Sequence, residues 1–164
     1  MTDSSNATDV VTIGLISDTH GLVRPEVFDA LAGVAFILHA GDVGDGVLDE
    51  LRAIASVSAV QGNTDPPGHP DLPREIEREA AGLRIHVSHG HEVGSPTPAK
   101  LLARYAADVI VYGHTHRQLV ARAEGRLVVN PGAAGARRFD LRPSVARLTI
   151  SGGRAEVEIV ELLR

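Results

Sequence analysis

Side chains able to bind a metal recur along this sequence in short clusters beside glycine. They are two aspartates, one asparagine and four histidines: Asp18, His20, Asp42, Asn63, His89, His114 and His116. A mixed set of nitrogen and oxygen donors suits manganese, iron, cobalt, nickel or zinc better than calcium or magnesium, which prefer oxygen alone. Seven candidates exceed the four ligands of a closed structural zinc site. The set therefore indicates two ions with open coordination positions and a shared carboxylate.

Each cluster follows directly after an apolar run that predicts a strand. Six such runs predict buried strands: Val10–Ile16, Val34–Ala40, Val57–Val60, Leu83–Ser88, Val109–Tyr112 and Leu127–Val129. Ligands of α/β proteins bind beyond the carboxyl ends of the strands, so we expect the clusters to converge on one site. In an extended chain, residues i and i+2 project to the same side, which would let Asp18 act with His20, and His114 with His116.

The order of the predicted elements indicates an α/β fold. Segments with helical spacing begin at Pro25, Val47 and Pro98 and alternate with strands. The later strands pair as hairpins, whose turns begin at Ala81, Glu124 and Ser151. We therefore predict mixed sheets with helices on the outside, in one domain over residues 10–164, after a disordered tail over residues 1–9.

Composition excludes several classes of function. The chain of 164 residues has no cysteine, so it has no disulfide, thiolate nucleophile or cysteine-based metal site. A formal net charge of −5 with scattered basic residues gives no support for binding nucleic acid or an anionic membrane. No apolar run reaches the roughly 18 residues that cross a bilayer, and the first residues are polar and acidic. We expect a cytoplasmic protein without a membrane partner.

Five short motifs occur in a fixed order along the chain. They are Asp18-x-His20, Gly41-Asp42, Gly62-Asn63, His89-Gly90-His91 and Gly113-His114-x-His116. Together they resemble the ordered signature of the calcineurin-like metallophosphoesterase superfamily, and the chain is most similar to its small single-domain branch of YfcE-type phosphodiesterases. The resemblance implies a four-layer α/β/β/α sandwich of two mixed β-sheets flanked by helices. It also implies hydrolysis of a phosphate ester with two divalent transition-metal ions, chosen among manganese, nickel, zinc, iron and cobalt.

The resemblance also assigns roles to individual residues. Asp18, His20, Asp42 and His116 would hold one ion, and Asp42, Asn63, His89 and His114 would hold the other, with Asp42 bridging the two. Such a pair of ions converts a shared water to hydroxide near neutral pH and polarises the phosphoryl oxygens. We expect His39, which lies just before the Gly-Asp pair, to be buried and hydrogen-bonded behind the site.

The proton donor to the leaving group is the part of the signature that this chain lacks. Many members have histidine directly after the Gly-Asn pair, whereas this chain has Thr64, whose hydroxyl cannot act as an acid near pH 7. Asp65 keeps the acidic partner in that motif, and His91 is the nearest imidazole without another role. The predicted catalytic residues are therefore Asp42, Asn63, Asp65 and His91.

The leading hypothesis is hydrolysis of small phosphodiester substrates by a metal-activated hydroxide. A phosphomonoesterase or nucleotidase with the same site is an alternative, and the sequence hardly separates the two. A non-catalytic metal-binding interaction scaffold is another, since a retromer coat subunit has this fold without robust catalysis, although its ligand set is incomplete. The acidic balance and the lack of an added nucleic-acid domain disfavour a nuclease, and a homo-oligomer stays open.

Overall fold

The computed structural model describes residues 10–137 and 140–162. Its strands are β1 (Val10–Ile16), β2 (Phe36–His39), β3 (Ser56–Ala59), β4 (Glu75–Ala80), β5 (Leu83–Ser88), β6 (Val109–Val111), β7 (Leu119–Ala123), β8 (Arg126–Asn130), β9 (Ser144–Ser151) and β10 (Arg154–Glu161). Its helices are α1 (Glu26–Ala30), α2 (Val47–Leu51), α3 (Pro98–Arg104) and a short 3₁₀ helix over His91–Val93. The predicted tail over residues 1–9 lies outside the described residues, and the single domain over residues 10–164 stays a prediction.

The strands form two mixed sheets, each combining three parallel strands with two antiparallel ones. The first sheet has the order β10-β9-β1-β2-β3, in which β1, β2 and β3 are parallel. The second has the order β4-β5-β6-β8-β7, in which β5, β6 and β8 are parallel. The predicted hairpins are confirmed as the pairs β4–β5, β7–β8 and β9–β10.

Alternation of apolar residues along the strands explains why the two sheets stack. Ile13 and Leu15 of β1 and Ile85 and Val87 of β5 are fully buried in one cluster between the sheets. Because successive side chains of a strand point to opposite faces, the residues between these positions face the outside of the sandwich. Burial of each such aliphatic side chain stabilises the fold by about 1.5–3 kcal/mol.

Short helices cover the outer face of each sheet. Leu31, directly after α1, and Leu51 of α2 pack with Ile16 and Ile37 on the first sheet. On the second sheet, Leu101 of α3 packs in one cluster with Ile110 and Val128. This arrangement confirms the predicted α/β/β/α sandwich. None of the helices formed by the described residues is long and apolar enough to cross a bilayer.

The carboxyl ends of the parallel strands of both sheets meet at one edge of the sandwich. In the first sheet, the backbone N–H of Asp18 donates to the Gly41 carbonyl at 2.9 Å. In the second, the N–H of Gly113 donates to the His89 carbonyl at 2.9 Å. The N–H of Ala134, in the loop after β8, donates to the Ser17 carbonyl at 2.9 Å and joins the two sheets. These bonds bring the predicted clusters to a single edge.

Candidate metal centre

Two aspartates face a group of imidazoles where the sheet edges meet. Asp18 Oδ1 lies 3.3 Å from His116 Nε2 and 3.8 Å from both His20 Nε2 and His89 Nε2. Asp42 Oδ2 lies 3.2 Å from His89 Nε2 and 3.7 Å from His20 Nε2. Each carboxylate therefore addresses more than one imidazole.

Asn63 and His114 extend this group on the side of His89. His114 Nδ1 lies 3.1 Å from Asn63 Oδ1 and 3.3 Å from His89 Nε2. With these two residues, all seven predicted ligands form one connected cluster, although they come from loops spread between positions 18 and 116.

The donor atoms define two overlapping positions for a cation. Asp18, His20 and His116 place their donor atoms within 4.8 Å of one another, and so do Asp18, Asp42 and His89. Asp18 belongs to both groups, and Asp42 also faces His20 of the first group across 3.7 Å. Either carboxylate is placed to be shared, so the assignment of Asp42 as the bridge stays a prediction.

The backbone at the cluster is left-handed at most of the ligand positions. The residues with positive φ are Asp18, His20, Asp42, His114 and His116, at 54°, 48°, 56°, 73° and 65°. The other non-glycine residues with positive φ in the described ranges are Ala81 and Glu124, both in hairpin turns. A side chain in this region costs about 1–2 kcal/mol, and such strain concentrates at functional sites.

The left-handed backbone corrects one expectation from the sequence. Asp18 and His20 do place donor atoms within 4.8 Å of one another, as expected, but an extended chain is not the reason, since both residues are left-handed, as are His114 and His116. The chain instead turns sharply as it leaves β1 and β6. The members of the second pair therefore reach different neighbours, His114 contacting Asn63 and His116 contacting Asp18.

Each aspartate has one oxygen held by hydrogen bonds and one aimed at the imidazoles. Asp18 Oδ2 accepts from Ser17 Oγ at 2.6 Å and from the His114 N–H at 3.1 Å. Asp42 Oδ1 accepts from the Thr64 N–H at 2.9 Å. Asp18 Oδ1 is buried with no hydrogen-bond partner among the described residues. A buried unpaired carboxylate oxygen is costly, so this donor set fits a cation at the cluster.

His89 is held in the tautomer that a metal ligand needs. Its Nδ1 lies 2.8 Å from the Ala40 carbonyl, which can only accept, so Nδ1 carries the proton and Nε2 faces the two aspartates with a free lone pair. Burial alone would lower the pKa of His89, but the hydrogen bond to Asp42 and the charges of Asp18 and Asp42 raise it. A proton and a metal ion therefore compete for the same nitrogen.

Both aspartates stay ionised well below neutral pH. Burial would raise the pKa of Asp42, but the hydrogen bond and charge of His89 and the Thr64 hydrogen bonds hold it well below its usual range. For Asp18, burial again opposes ionisation, and contacts with His116, His89 and Ser17 lower its pKa overall. The cluster therefore offers two buried negative charges to a cation.

His39 joins the loop of Asp18 to the loop of Asp42. Its Nδ1 accepts from the Gly41 N–H at 3.1 Å, so its Nε2–H donates to Thr19 Oγ1 at 3.0 Å. Thr19 Oγ1 in turn donates to the Val43 carbonyl at 2.7 Å. His39 is fully buried, as predicted, and burial lowers its pKa to about 4. It therefore stays neutral and acts as a fixed connector.

Asp65, predicted as catalytic, makes its described contacts with the backbone. Its carboxylate accepts from the N–H groups of Val43 at 2.9 Å, Gly44 at 3.3 Å and Gly62 at 2.8 Å. These bonds fasten the loop that carries Asp42 to the loop that carries Asn63. The contacts describe a positioning residue, and a catalytic role for Asp65 stays a prediction.

His91 and Thr64 lie at the exposed rim of the cluster. The ring centroid of His91 is 5.4 Å from that of His89 and 6.1 Å from that of His114. The N–H of Thr64 donates to Asp42, and its side chain is exposed. His91 is thus an exposed imidazole beside the predicted ligands that is not itself one of them.

Ser17 and Asn130 hold the ligand loops, and the motifs in the sequence do not include Ser17. The Ser17 hydroxyl donates to Asp18 Oδ2 and so fixes the orientation of this carboxylate. In the sequence, this position is indicated by a polar residue directly after the apolar strand β1. Asn130 Nδ2 donates to the Gly113 carbonyl and to Thr115 Oγ1, each at 3.1 Å. Asn130 thereby fixes the loop that carries His114.

Comparisons with known proteins show the family to which the chain belongs. Residues 11–153 match the calcineurin-like phosphoesterase superfamily domain. The chain is 38% identical over 157 residues to a protein named probable metallophosphoesterase from Methanothermobacter thermautotrophicus, covering 90% of this chain and 91% of that protein. It is 30% identical over 141 residues to phosphodiesterase MJ0936 of Methanocaldococcus jannaschii, covering 73% of this chain and 82% of that protein.

A solved structure has a similar fold. Vacuolar protein sorting 29 from Cryptosporidium parvum superimposes with a TM-score of 0.79 at 22% identity, covering 94% of this chain and 99% of that one. The chain belongs to the calcineurin-like phosphoesterase superfamily, a family of hydrolases, which confirms the predicted family and enzyme class.

Gly113 allows the two sheets to approach each other at the cluster, which gives a first prediction. A Cβ at Gly113 would overlap Ser17 Oγ and lie 2.6 Å from Asp18 Oδ2. We expect Gly113→Ala to displace Asp18, weakening manganese binding by roughly 10–100-fold, the loss typical of a removed outer partner of a ligand. Titration calorimetry with manganese measures the change.

Gly125→Ala is the matched control for this substitution. Gly125 has a φ of +73° in the β7–β8 turn with open space around it, so alanine there should cost about 1–2 kcal/mol of stability without changing metal affinity. Equal metal affinities of the two variants would show that the close approach at Gly113 does not position Asp18.

The neutral state of His39 predicts a pH dependence of stability in metal-free protein. In the unfolded chain the group titrates near 6.5, and in the folded protein near 4. Between these values the unfolded state binds more protons, so folding stability falls as the pH decreases. Relative to His39→Gln, the wild type should lose up to about 3 kcal/mol between pH 6.5 and 4. Urea unfolding of both proteins across this range tests it, and a pH-independent difference would contradict it.

Proposed function

We propose that the protein is a dinuclear metal-dependent phosphodiesterase that hydrolyses small phosphate esters. The observation that carries the proposal is the buried oxygen Asp18 Oδ1, which has no hydrogen-bond partner among the described residues and faces His20, His89 and His116. An enzyme of this superfamily that lacked a cation would gain nothing from this arrangement, because burying the oxygen costs free energy.

The proposed ligand sets follow the predicted assignment. Asp18, His20, Asp42 and His116 hold one ion, and Asp42, Asn63, His89 and His114 hold the other. Asp42 Oδ2 lies between His20 of one set and His89 of the other, which supports a shared role. Two bound divalent ions supply a nucleophile from water near neutral pH and polarise the phosphoryl oxygens. Manganese, iron, cobalt, nickel and zinc all suit these ligands.

We assign the proton donor to His91. Hydrolysis forms a bond from phosphorus to the oxygen of water and breaks the bond to the leaving oxygen, which needs a proton unless it is stable as an anion. Thr64 cannot supply this proton near pH 7. His91 is exposed at the rim, with its ring 5.4 Å from that of His89, so an imidazole N–H can reach an ester oxygen that lies over the cluster.

The preference for diesters rests on similarity. A relative that is 30% identical is named a phosphodiesterase, and this name supports the same reaction class for the present chain. Hydrolysis of bis(p-nitrophenyl) phosphate and of p-nitrophenyl phosphate with added manganese, nickel or zinc tests the choice between diester and monoester. A faster monoester reaction would establish the phosphomonoesterase alternative. The cytoplasmic location stays a prediction from the sequence.

Asp42→Ala tests the dinuclear site. Removal of a shared carboxylate leaves two cations facing each other without the charge that offsets their repulsion. Loss of a residue that only hydrogen-bonds a metal ligand lowers activity or metal affinity by roughly 10–100-fold. We expect a larger loss of activity for Asp42→Ala, which removes a ligand itself, together with a parallel loss of bound metal. Asn63→Ala, which removes a neutral ligand of one ion, should cost less. Kinetics and elemental analysis on the same samples measure both effects.

Asp49→Ala is the matched control for Asp42→Ala. The Asp49 side chain is 86% exposed on α2 and pairs with Arg52 at the surface. Its loss should leave activity and metal content unchanged. Two tightly bound ions and normal turnover in Asp42→Ala would refute the dinuclear proposal.

The role of His91 predicts a dependence on the leaving group. His91→Gln should slow diesters with alkyl leaving groups by roughly 10²-fold, the lower end of general-acid contributions, and p-nitrophenyl diesters little, since p-nitrophenolate leaves without a proton. Thr64→His, placed in the His91→Gln background, should recover part of the alkyl activity. The measurement is kcat/KM for a graded series of diesters at fixed metal and pH. Equal losses for all leaving groups would assign His91 a role other than proton donation.

A further inference from the structure

A cavity of about 550 Å³ opens beside the candidate metal centre on the side of His91. Its volume lies within the range of small-molecule sites, about 300–1,000 Å³. The residues that line it include Gln61, His91, Arg74, Arg104 and Tyr105. None of the seven predicted ligands lines this cavity, so it is a separate space that adjoins the site.

Two contacts join the cavity to the metal centre. His91 lines the cavity while its ring lies 5.4 Å from that of His89 and 6.1 Å from that of His114. Gln61 directly precedes Gly62-Asn63, and its N–H donates to the Pro73 carbonyl at 2.8 Å, which places Arg74 beside the Asn63 loop. His91 and Gln61 therefore place the cavity next to the loops that carry His89 and Asn63.

The two arginines of the cavity are available to an anion. Among the described residues, neither Arg74 nor Arg104 forms an ion pair with a carboxylate, and the described contact of Arg104 is with the Tyr105 ring, 5.6 Å from its centroid. Guanidinium groups bind phosphate through two parallel N–H donors, and unpaired ones gain most from such a ligand. Two guanidinium charges match the charge of a phosphate monoester near neutral pH.

Among the described residues, the carboxylates that line the cavity do not form ion pairs with these arginines. Glu92 Oε1 accepts from the Gly90 N–H at 2.9 Å, and Glu92 Oε2 accepts from the Tyr105 hydroxyl at 2.8 Å. Burial would raise the pKa of Glu92, but hydrogen bonds from Ser88 and Tyr105 lower it, so the carboxylate is ionised and already solvated by protein donors. Glu75 also lines the cavity, and it is exposed to water.

Tyr105 forms a rigid part of the cavity next to Arg104. Tyr105 stacks on the buried His86 with ring centroids 3.6 Å apart and an interplanar angle of 23°. Burial and the charge of Glu92 raise the pKa of Tyr105 to about 12, so its hydroxyl keeps the proton that it donates. Arg126 Nη1 donates to the Tyr105 carbonyl at 2.6 Å, which fixes the chain next to Arg104. A rigid wall reduces the entropy lost on binding.

We propose that this cavity binds an ester arm that carries a second phosphate group, held by Arg74 and Arg104. The inference rests on the proposed function, since the scissile phosphorus must lie at the metal centre. The preferred substrates are then phosphodiesters with an additional phosphate monoester several bonds from the scissile group. Specificity comes from this pair of arginines, and the reaction itself from the metal centre.

A matched pair of substrates tests the proposal. Thymidine 5′-(p-nitrophenyl phosphate) and its 3′-phosphorylated form differ only by the second phosphate. Chromatography of the products follows cleavage of either ester bond, which releases p-nitrophenolate from one arm or p-nitrophenyl phosphate and thymidine from the other. We expect kcat/KM to be at least about tenfold higher with the 3′-phosphate, through KM, and this ratio to fall as salt increases. Arg74→Gln and Arg104→Gln should each lower the ratio, and the double variant should bring it to about one.

The controls separate this proposal from the proposed function. Arg154→Gln removes an arginine whose side chain is 81% exposed on β10, which does not line this cavity, and should leave the ratio unchanged. Hydrolysis of both substrates at equal rates by the wild type, unaffected by the arginine substitutions, would overturn the cavity proposal and leave the phosphodiesterase in place. Failure to hydrolyse either substrate or bis(p-nitrophenyl) phosphate would instead refute the proposed function.

Direct binding gives a result that does not depend on turnover. Calorimetric titration with thymidine 3′,5′-bisphosphate and thymidine 5′-monophosphate should show tighter binding of the bisphosphate by the wild type, and equal binding by the double arginine variant. Equal binding of both nucleotides by the wild type would overturn the cavity proposal whether or not the protein is active.

Discussion

The buried charges of Asp18 and Asp42 are the constraint on which the rest of the structure depends. Both carboxylates are almost fully buried, and their pKa values are held below the usual range, so two negative charges lie in the interior near one another. Buried charge is tolerated only when it is paired, and the partners available from the chain are imidazoles. The charges of Asp18 and Asp42 raise the pKa of His89, so they favour a proton on this imidazole as a counter-charge. A divalent cation is a stronger counter-charge, which explains why oxygen and nitrogen lone pairs all point into the same space.

The surrounding structure resists the repulsion between these charges through bonds to the backbone. Asp65 fastens the loops of Asp42 and Asn63, His39 fastens the loop of Asp42 to that of Asp18, and Asn130 fastens the loop of His114. These connectors are buried, so their hydrogen bonds have no competing water and are costly to break. They hold ligand residues in left-handed conformations that an isolated chain would avoid. The two sheets form a rigid frame, and the hydrogen bonds of the connectors hold the ligand loops in fixed positions relative to it.

The sequence predicts the fold and the ligand set because both depend on patterns that are local. Apolar runs mark the strands, and metal-binding residue types directly after them mark the loops, so the convergence of Asp18 and His116 follows from the topology of parallel strands. The backbone conformation does not follow, because the left-handed turns at Asp18 and His114 are imposed by contacts between loops far apart in the chain. The role of Ser17 cannot be predicted from the sequence for the same reason, because Ser17 acts by orienting one oxygen of Asp18, which only the folded structure shows. The cavity cannot be predicted from the sequence either, because it forms where Arg74, before β4, and Arg104, at the end of α3, line the same space although they lie 30 positions apart in the chain.

Charge in the cavity beside His91 is balanced, so any recognition of a second phosphate there must be local. The cavity is lined by Arg74 and Arg104 and also by Glu75 and Glu92. Both oxygens of Glu92 already accept hydrogen bonds, from the Gly90 N–H and the Tyr105 hydroxyl. A lining with equal numbers of cationic and anionic groups produces little long-range attraction for an anion. Discrimination by this cavity would therefore depend on direct hydrogen bonds from the two guanidinium groups and on the distance from the scissile phosphorus to the second phosphate, rather than on electrostatic steering.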